Sequence, residues 1–151
     1  MDSSAILMML NDKLPKDNPL IMQTLNNELK ALNDKQLSEV MQKITIANLK
    51  SPTKVFWLGS FLFGNLGVGR FMIGDNIIGG VRLALLIIYV LLGGAVEAYQ
   101  DDAHAMLGAS VLAIVFGLAV FIWWVADLFL VGKKLRNINL QKVQEIITSV
   151  K

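Results

Sequence analysis

Cysteine is absent from this chain of 151 residues, which excludes disulfides and every thiolate-based reaction or metal site. Histidine occurs once, as His104, so no set of imidazoles can hold a metal within one copy. The net charge of +2 is small and gives no concentrated basic face, so nucleic acid is not an expected partner. Proline occurs three times, at Pro15, Pro19 and Pro52, and not at all in the long stretch that follows. A secretory signal is not expected at the N-terminus: the apolar string Ala5–Leu10 is short, has no basic flank, and leads into Asn11-Asp12-Lys13 without a small-residue cleavage site. Internal segments are therefore expected to direct membrane insertion.

Charge is also scarce across residues 55–132, and there the chain carries three long apolar runs. Runs so extensive exceed what a chain of this size can hide in a water-facing core, so they predict an all-α integral membrane protein with three apolar membrane helices. The expected divisions are a cytoplasmic helical head over 1–50, a membrane body over 51–132 and an amphipathic tail helix over 133–151. In the head, Ser3 or Ser4 caps a first short helix that must end before Pro15. Asn18-Pro19 starts a second, with Ile21, Leu25, Leu29 and Leu32 on one face. Asn33-Asp34 starts a third, with Leu37, Val40, Met41 and Ile44 recurring at helical spacing. These stripes suit either a small bundle core or a face for a protein partner, and so small a core needs help from elsewhere. The tail repeats the pattern with Leu140, Val143, Ile147 and Val150, a face that could pack on the head, lie on anionic lipid or join another subunit.

The first run, Val55 to Gly69, would extend about 22 Å as a helix, short of the roughly 20 residues that a crossing requires. Adding Phe71-Met72-Ile73 reaches that length if Arg70 snorkels. The alternative is a partial or re-entrant segment broken by Gly59, Gly64, Gly67 and Gly69. The second run, Ile77 to Gly94, and the third, Met106 to Val131, are long enough. Lys43, Lys50 and Lys54 before the first run, and Lys133, Lys134 and Arg136 after the third, favour a cytoplasmic head and tail, with the acidic linker of Glu97, Asp101 and Asp102 outside. Three full crossings cannot place both ends on one side.

Four ionisable residues fall in or near the apolar runs: Arg70, Asp75, Arg82 and Asp127. Charges at such depth are costly and predict pairing, which locks helices together or marks an ion or proton path. Acid–base chemistry would need convergent carboxylates or a base with an oriented partner, and neither pattern is present; no enzyme activity, catalytic residue or cofactor is expected. Gly64, Gly67, Gly69 and Gly80, and the stripe Ala105, Ala109, Ala113 and Gly117, let helix backbones approach closely, within one subunit or between copies of a homo-oligomer. The glycine-rich string is a poor phosphate loop, since it lacks the Gly-Lys-Ser/Thr ending.

Leu49-Lys50-Ser51-Pro52, Arg70-Phe71-Met72-Ile73-Gly74-Asp75, the pair Gly79-Gly80 and Trp124-x-x-Asp127 together resemble the TM-two (two-transmembrane) domain family, over about residues 49–130. Gly69 stands where the family's Asp-Arg-Phe phrase has aspartate, and the stretch between the glycine pair and Trp124 is expanded by an apparent hairpin, Leu83 to Ala119. The resemblance implies a bacterial inner-membrane protein and no particular reaction. The expected function is self-assembly or scaffolding in membrane lipid, with an oligomeric channel or membrane-permeabilising pore as the alternative.

Overall fold

A computed structural model describes residues 3–151, which are helical with short connections and, among the described residues, no strand. Two compact units divide the chain. One takes the N-terminal segment through Thr53 together with Gly132–Lys151, and the other is Lys54–Val131.

The polar unit begins with α1 (Ser3–Leu10), α2 (Pro19–Lys30) and α3 (Asp34–Ile46). Helix α2 starts where the sequence predicts: Asn18 Oδ1 accepts the amide of Leu20 at 3.0 Å, and Pro19 occupies the first turn, where a missing N–H is harmless. Helix α3 opens with a reciprocal capping box, Asn33 Oδ1 accepting from the Gln36 amide at 2.9 Å and Gln36 Oε1 from the Asn33 amide at 3.0 Å. It closes on Asn48 at φ 44°, a left-handed conformation that asparagine tolerates better than most side chains.

Ile6, Leu10 and Leu14 pack with Leu25, Leu29, Leu37, Val40 and Ile44 into one core, joined by Val143 and Ile147 from the tail. Of the three roles open to the tail, the structure shows it completing the core of the head. A fully buried aliphatic side chain contributes about 1.5–3 kcal/mol, so Val143 and Ile147 matter to a bundle whose first three helices are short.

The tail is not a separate helix. It is the end of α7 (Ala103–Thr148), whose 46 residues also hold the third apolar run, a length of about 69 Å. No proline interrupts it, and Gly132 is followed at once by Lys133-Lys134-Leu135, all good helix formers.

In the apolar unit the first run does not make a third long helix. A single turn, α4 (Pro52–Lys54), passes into a π-helix (Val55–Leu62), then a 3-10 turn (Gly64–Leu66) and the short α5 (Val68–Met72). The Phe63 amide bonds the Leu58 carbonyl at 3.3 Å, the wide π spacing. Gly67 at φ 74° and Gly74 at φ 85° turn the chain on either side of α5. The π segment and α5 touch through backbone, since a Cβ on Gly59 would stand 2.7 Å from Gly69 Cα. The break therefore follows from glycine-permitted turns and a backbone contact that a straight helix would not make.

Helix α6 (Asn76–Ala98) and α7 are the two helices long and apolar enough to cross a membrane. Residues 83–119 lie within these two helices and the turn between them. Asp102 closes the turn between them, its Oδ1 accepting the amides of His104 and Ala105, each at 3.1 Å. Their most apolar 18-residue windows are only 11% and 6% buried by the chain. Ile147→Ala is expected to cost about 2–5 kcal/mol of polar-unit stability, read from urea unfolding of the full chain, whereas Met8→Ala, at an exposed position, should shift the same transition little.

Candidate functional site

The four charged residues singled out in the sequence meet in one cluster. Arg70 is carried by α5, Arg82 by α6 and Asp127 by α7, and Asp75 lies in the turn between α5 and α6. That turn is fixed by backbone: Gly74 supplies the positive φ, the Asp75 amide donates to the Arg70 carbonyl at 2.9 Å, and the Asp75 carbonyl accepts from the Gly79 amide at 3.0 Å. The Asp75 carboxylate is thereby turned toward Arg70, whose Nη1 donates to Oδ2 at 2.9 Å.

Asp127 is shared. Arg70 places Nε at 3.1 Å and Nη2 at 2.6 Å from Oδ1 of Asp127, while Arg82 donates through Nη1 to Oδ2. Arg70, Arg82 and Asp127 are 7%, 2% and 2% exposed. Two guanidiniums and two carboxylates make the cluster neutral overall, the condition under which charges tolerate removal from water. The arrangement ties three helical segments to one carboxylate.

Glycine and tryptophan set the walls. Gly59, Ser60, Gly64, Gly67 and Gly69 border a small void with Arg70, Arg82 and Asp127. Trp124 Nε1 donates to the Ser60 carbonyl at 3.0 Å, which satisfies an acceptor in the irregular segment and fastens it to α7. A Cβ on Gly64 would stand 2.8 Å from the Trp124 ring, and one on Gly67 would stand 2.8 Å from the Gly79 carbonyl oxygen. Arg82 Nε and Nη2 and Ser60 Oγ are buried with no hydrogen-bond partner among the described residues. Nε and Nη2 form the side-on edge of the guanidinium fork, the edge that matches an acceptor with two oxygens.

The remaining residues picked for close packing separate into different environments. Gly64, Gly67 and Gly69 make the tight contacts of the site, and a Cβ on Gly69 would stand 2.6 Å from Ser60 Oγ and 3.2 Å from the Gly59 carbonyl carbon. Arg70 takes its carboxylates from Asp75 and Asp127. In the third run Ala105, Ala109, Ala113 and Gly117 are half-buried, and a Cβ on Gly117 would sit 2.9 Å from the Tyr89 ring of α6. That position of the stripe packs inside the chain. Gly80 is exposed, with open space at its Cβ position.

The hydrogen bond of Trp124 to Ser60 and the contact of Tyr89 with Gly117 were not anticipated from the sequence. Neither has a sequence signal beyond an aromatic residue in an apolar run. No group of three metal-ligating side chains occurs among the described residues. No family model, no curated protein and no solved structure matches the chain.

Asp127→Asn removes the carboxylate that two buried guanidiniums share. It is expected to cost about 3–5 kcal/mol, seen as a large fall in melting temperature in a fixed detergent. Asp75→Asn should cost less, because Asp75 is the more exposed carboxylate. Equal losses for the two variants would contradict the central role given to Asp127.

Proposed function

We propose that the chain is a bacterial integral membrane protein of the TM-two type, without enzymatic activity, that self-assembles or scaffolds partners at the inner membrane. The observation that carries this proposal is the apolar surface of α6 and α7, which the chain leaves almost wholly uncovered. Ile77, Leu91, Leu107, Ile122 and Phe129 all point large apolar side chains outward. Contiguous surface of this kind needs an apolar solvent or partner. The 23 residues of α6 extend about 34 Å, enough for a hydrocarbon core of about 30 Å. Residues 103–131 of α7 are longer and tilt or project beyond it.

Two crossings, with residues 55–75 as a re-entrant segment, return the head and tail to one side. Lys50, Lys133, Lys134 and Arg136 then lie on the cytoplasmic side, and Glu97, Asp101 and Asp102 on the other, as the charge asymmetry of the loops favours. Irregular backbone is tolerated at membrane depth where protein covers it, a condition that the Trp124 bond and the Gly59–Gly69 contact help to meet. The charge cluster acts as the internal clasp of the membrane body.

Assembly is assigned to α6. Gly80 and Ala84, one turn apart, are exposed on it, and a small outward face on a lipid-facing helix is where a second helix can come closest. Among the polar groups that a pore could use, Ser60, Arg82 and Asp127 are buried within the chain, which favours the scaffold over the pore. Gly80→Leu is the test. It is expected to leave the melting temperature in detergent nearly unchanged, since nothing lies within 4 Å of the new side chain's Cβ, and to lower the oligomer mass measured in native-lipid particles. An unchanged mass would remove α6 from the interface, and a monodisperse chain in plain buffer would remove the membrane.

A further inference from the structure

The polar unit is unevenly charged along its length. Contacts between α7 and the rest of the unit mark its two ends. At one end Asn139 Nδ2 donates to the carbonyls of Lys13 and Lys50, both at 3.0 Å, and Lys133 lies 3.8 Å from Asp17. Toward the other, Gln36 Nε2 donates to the Val150 carbonyl at 2.8 Å and Lys151 reaches Glu28 at 4.0 Å. The first end is also where the chain leaves for the apolar unit, after Thr53 and before Gly132.

Six cations, Lys13, Lys16, Lys50, Lys133, Lys134 and Arg136, gather at that end, and among the described residues the carboxylates there are Asp12 and Asp17. The other described residues of the unit carry five cations and four carboxylates, close to balance. The ion pairs Lys16–Asp12 and Lys133–Asp17 are long and exposed, so they hold their cations weakly and leave them open to other anions. The Nε of Arg136 is buried without a partner among the described residues. Two aliphatic side chains stand outward at this end: Leu20, three residues beyond Asp17, is 63% exposed, and Ile46, four residues before Lys50, is 74% exposed.

We propose that this end of the polar unit is a docking collar for anionic phospholipid headgroups. The cations take the phosphates, and Leu20 and Ile46 enter the boundary between headgroups and acyl chains. A basic cluster flanking a membrane segment gains affinity from the negative surface potential of such lipids, and apolar prongs add contact that water does not reward. The collar rests on the membrane reading given above, because it requires the chain's exits to lie at a lipid surface.

The test reconstitutes the full chain into liposomes of phosphatidylcholine mixed equally with phosphatidylglycerol, then releases it for native mass spectrometry of the retained lipids. Retained phosphatidylglycerol is expected to exceed phosphatidylcholine several-fold, with the excess shrinking as sodium chloride is raised. The triple variant Lys16→Gln, Lys133→Gln, Lys134→Gln, at exposed positions, is expected to lose most of that excess while keeping its helical circular dichroism. No excess in the unaltered chain, an excess indifferent to salt, or one that survives the variant overturns the collar. Alkaline carbonate washing of the same liposomes separates the two levels. A chain that washes off overturns the membrane reading, and one that stays without lipid preference overturns the collar alone.

Discussion

One carboxylate organises the apolar unit. Asp127 accepts from Arg70 on its Oδ1 and from Arg82 on its Oδ2, so α5, α6 and α7 share a single anionic centre. Side chains that hold only dispersion contacts can slide past one another at small cost. A buried carboxylate with a guanidinium on each oxygen cannot, because any shift leaves a charge without its partner. The π-helical segment depends on this fixity. It has poorer internal hydrogen bonding than an α-helix, and it is held through the same end of α7, where Trp124 donates to Ser60 three residues before Asp127 in sequence.

Helix α7 links that centre to the polar unit by continuity of backbone. Asp127 lies 16 residues before Val143, and both stand on one uninterrupted helix. The same element that clasps the apolar segments therefore supplies Val143 and Ile147 to the core of the head. This explains why an amphipathic tail follows an apolar run with no proline or turn between them. The change of character at Gly132 is a change of surroundings, not of secondary structure.

Much of this was legible from residue pattern. The stripes of α2, α3 and the tail name most of the polar core, because a 3.6-residue period directly reports which face is covered. Asn18-Pro19 and Asn33 give the helix starts by local chemistry alone. The four clustered charges were legible as a group, since charge is conspicuous in apolar runs. Their partition was not. Whether Arg82 meets Asp75 or Asp127 depends on the turn at Gly74, and that in turn depends on which glycines adopt positive φ. Gly67 and Gly74 do, while Gly59, Gly64 and Gly69 serve close contacts instead, and nothing in the letter G distinguishes these uses. Of the three apolar runs, two form helices long and apolar enough to cross a membrane, while the first, open in the sequence to a full, partial or re-entrant course, is broken into short turns, because hydropathy measures the apolarity of residues 55–73 and is blind to the turns within them.

Glycine at position 69 shows how the cluster stays neutral. An aspartate there would add a third carboxylate to two guanidiniums and would need space that Gly59 and Ser60 already occupy. With glycine in place, the backbone closes against the π segment and Arg70 turns to Asp75 and Asp127. The charge count balances, yet the donor count does not: Arg82 Nε and Nη2 and Ser60 Oγ have no hydrogen-bond partner among the described residues. Net charge governs the cost of burying the cluster as a whole, whereas unpaired donors add a separate and smaller penalty of about 1–3 kcal/mol. The apolar unit is thus held chiefly by the ionic bonds to Asp127, and the unpaired donors of Arg82 subtract from that hold without removing an ion pair.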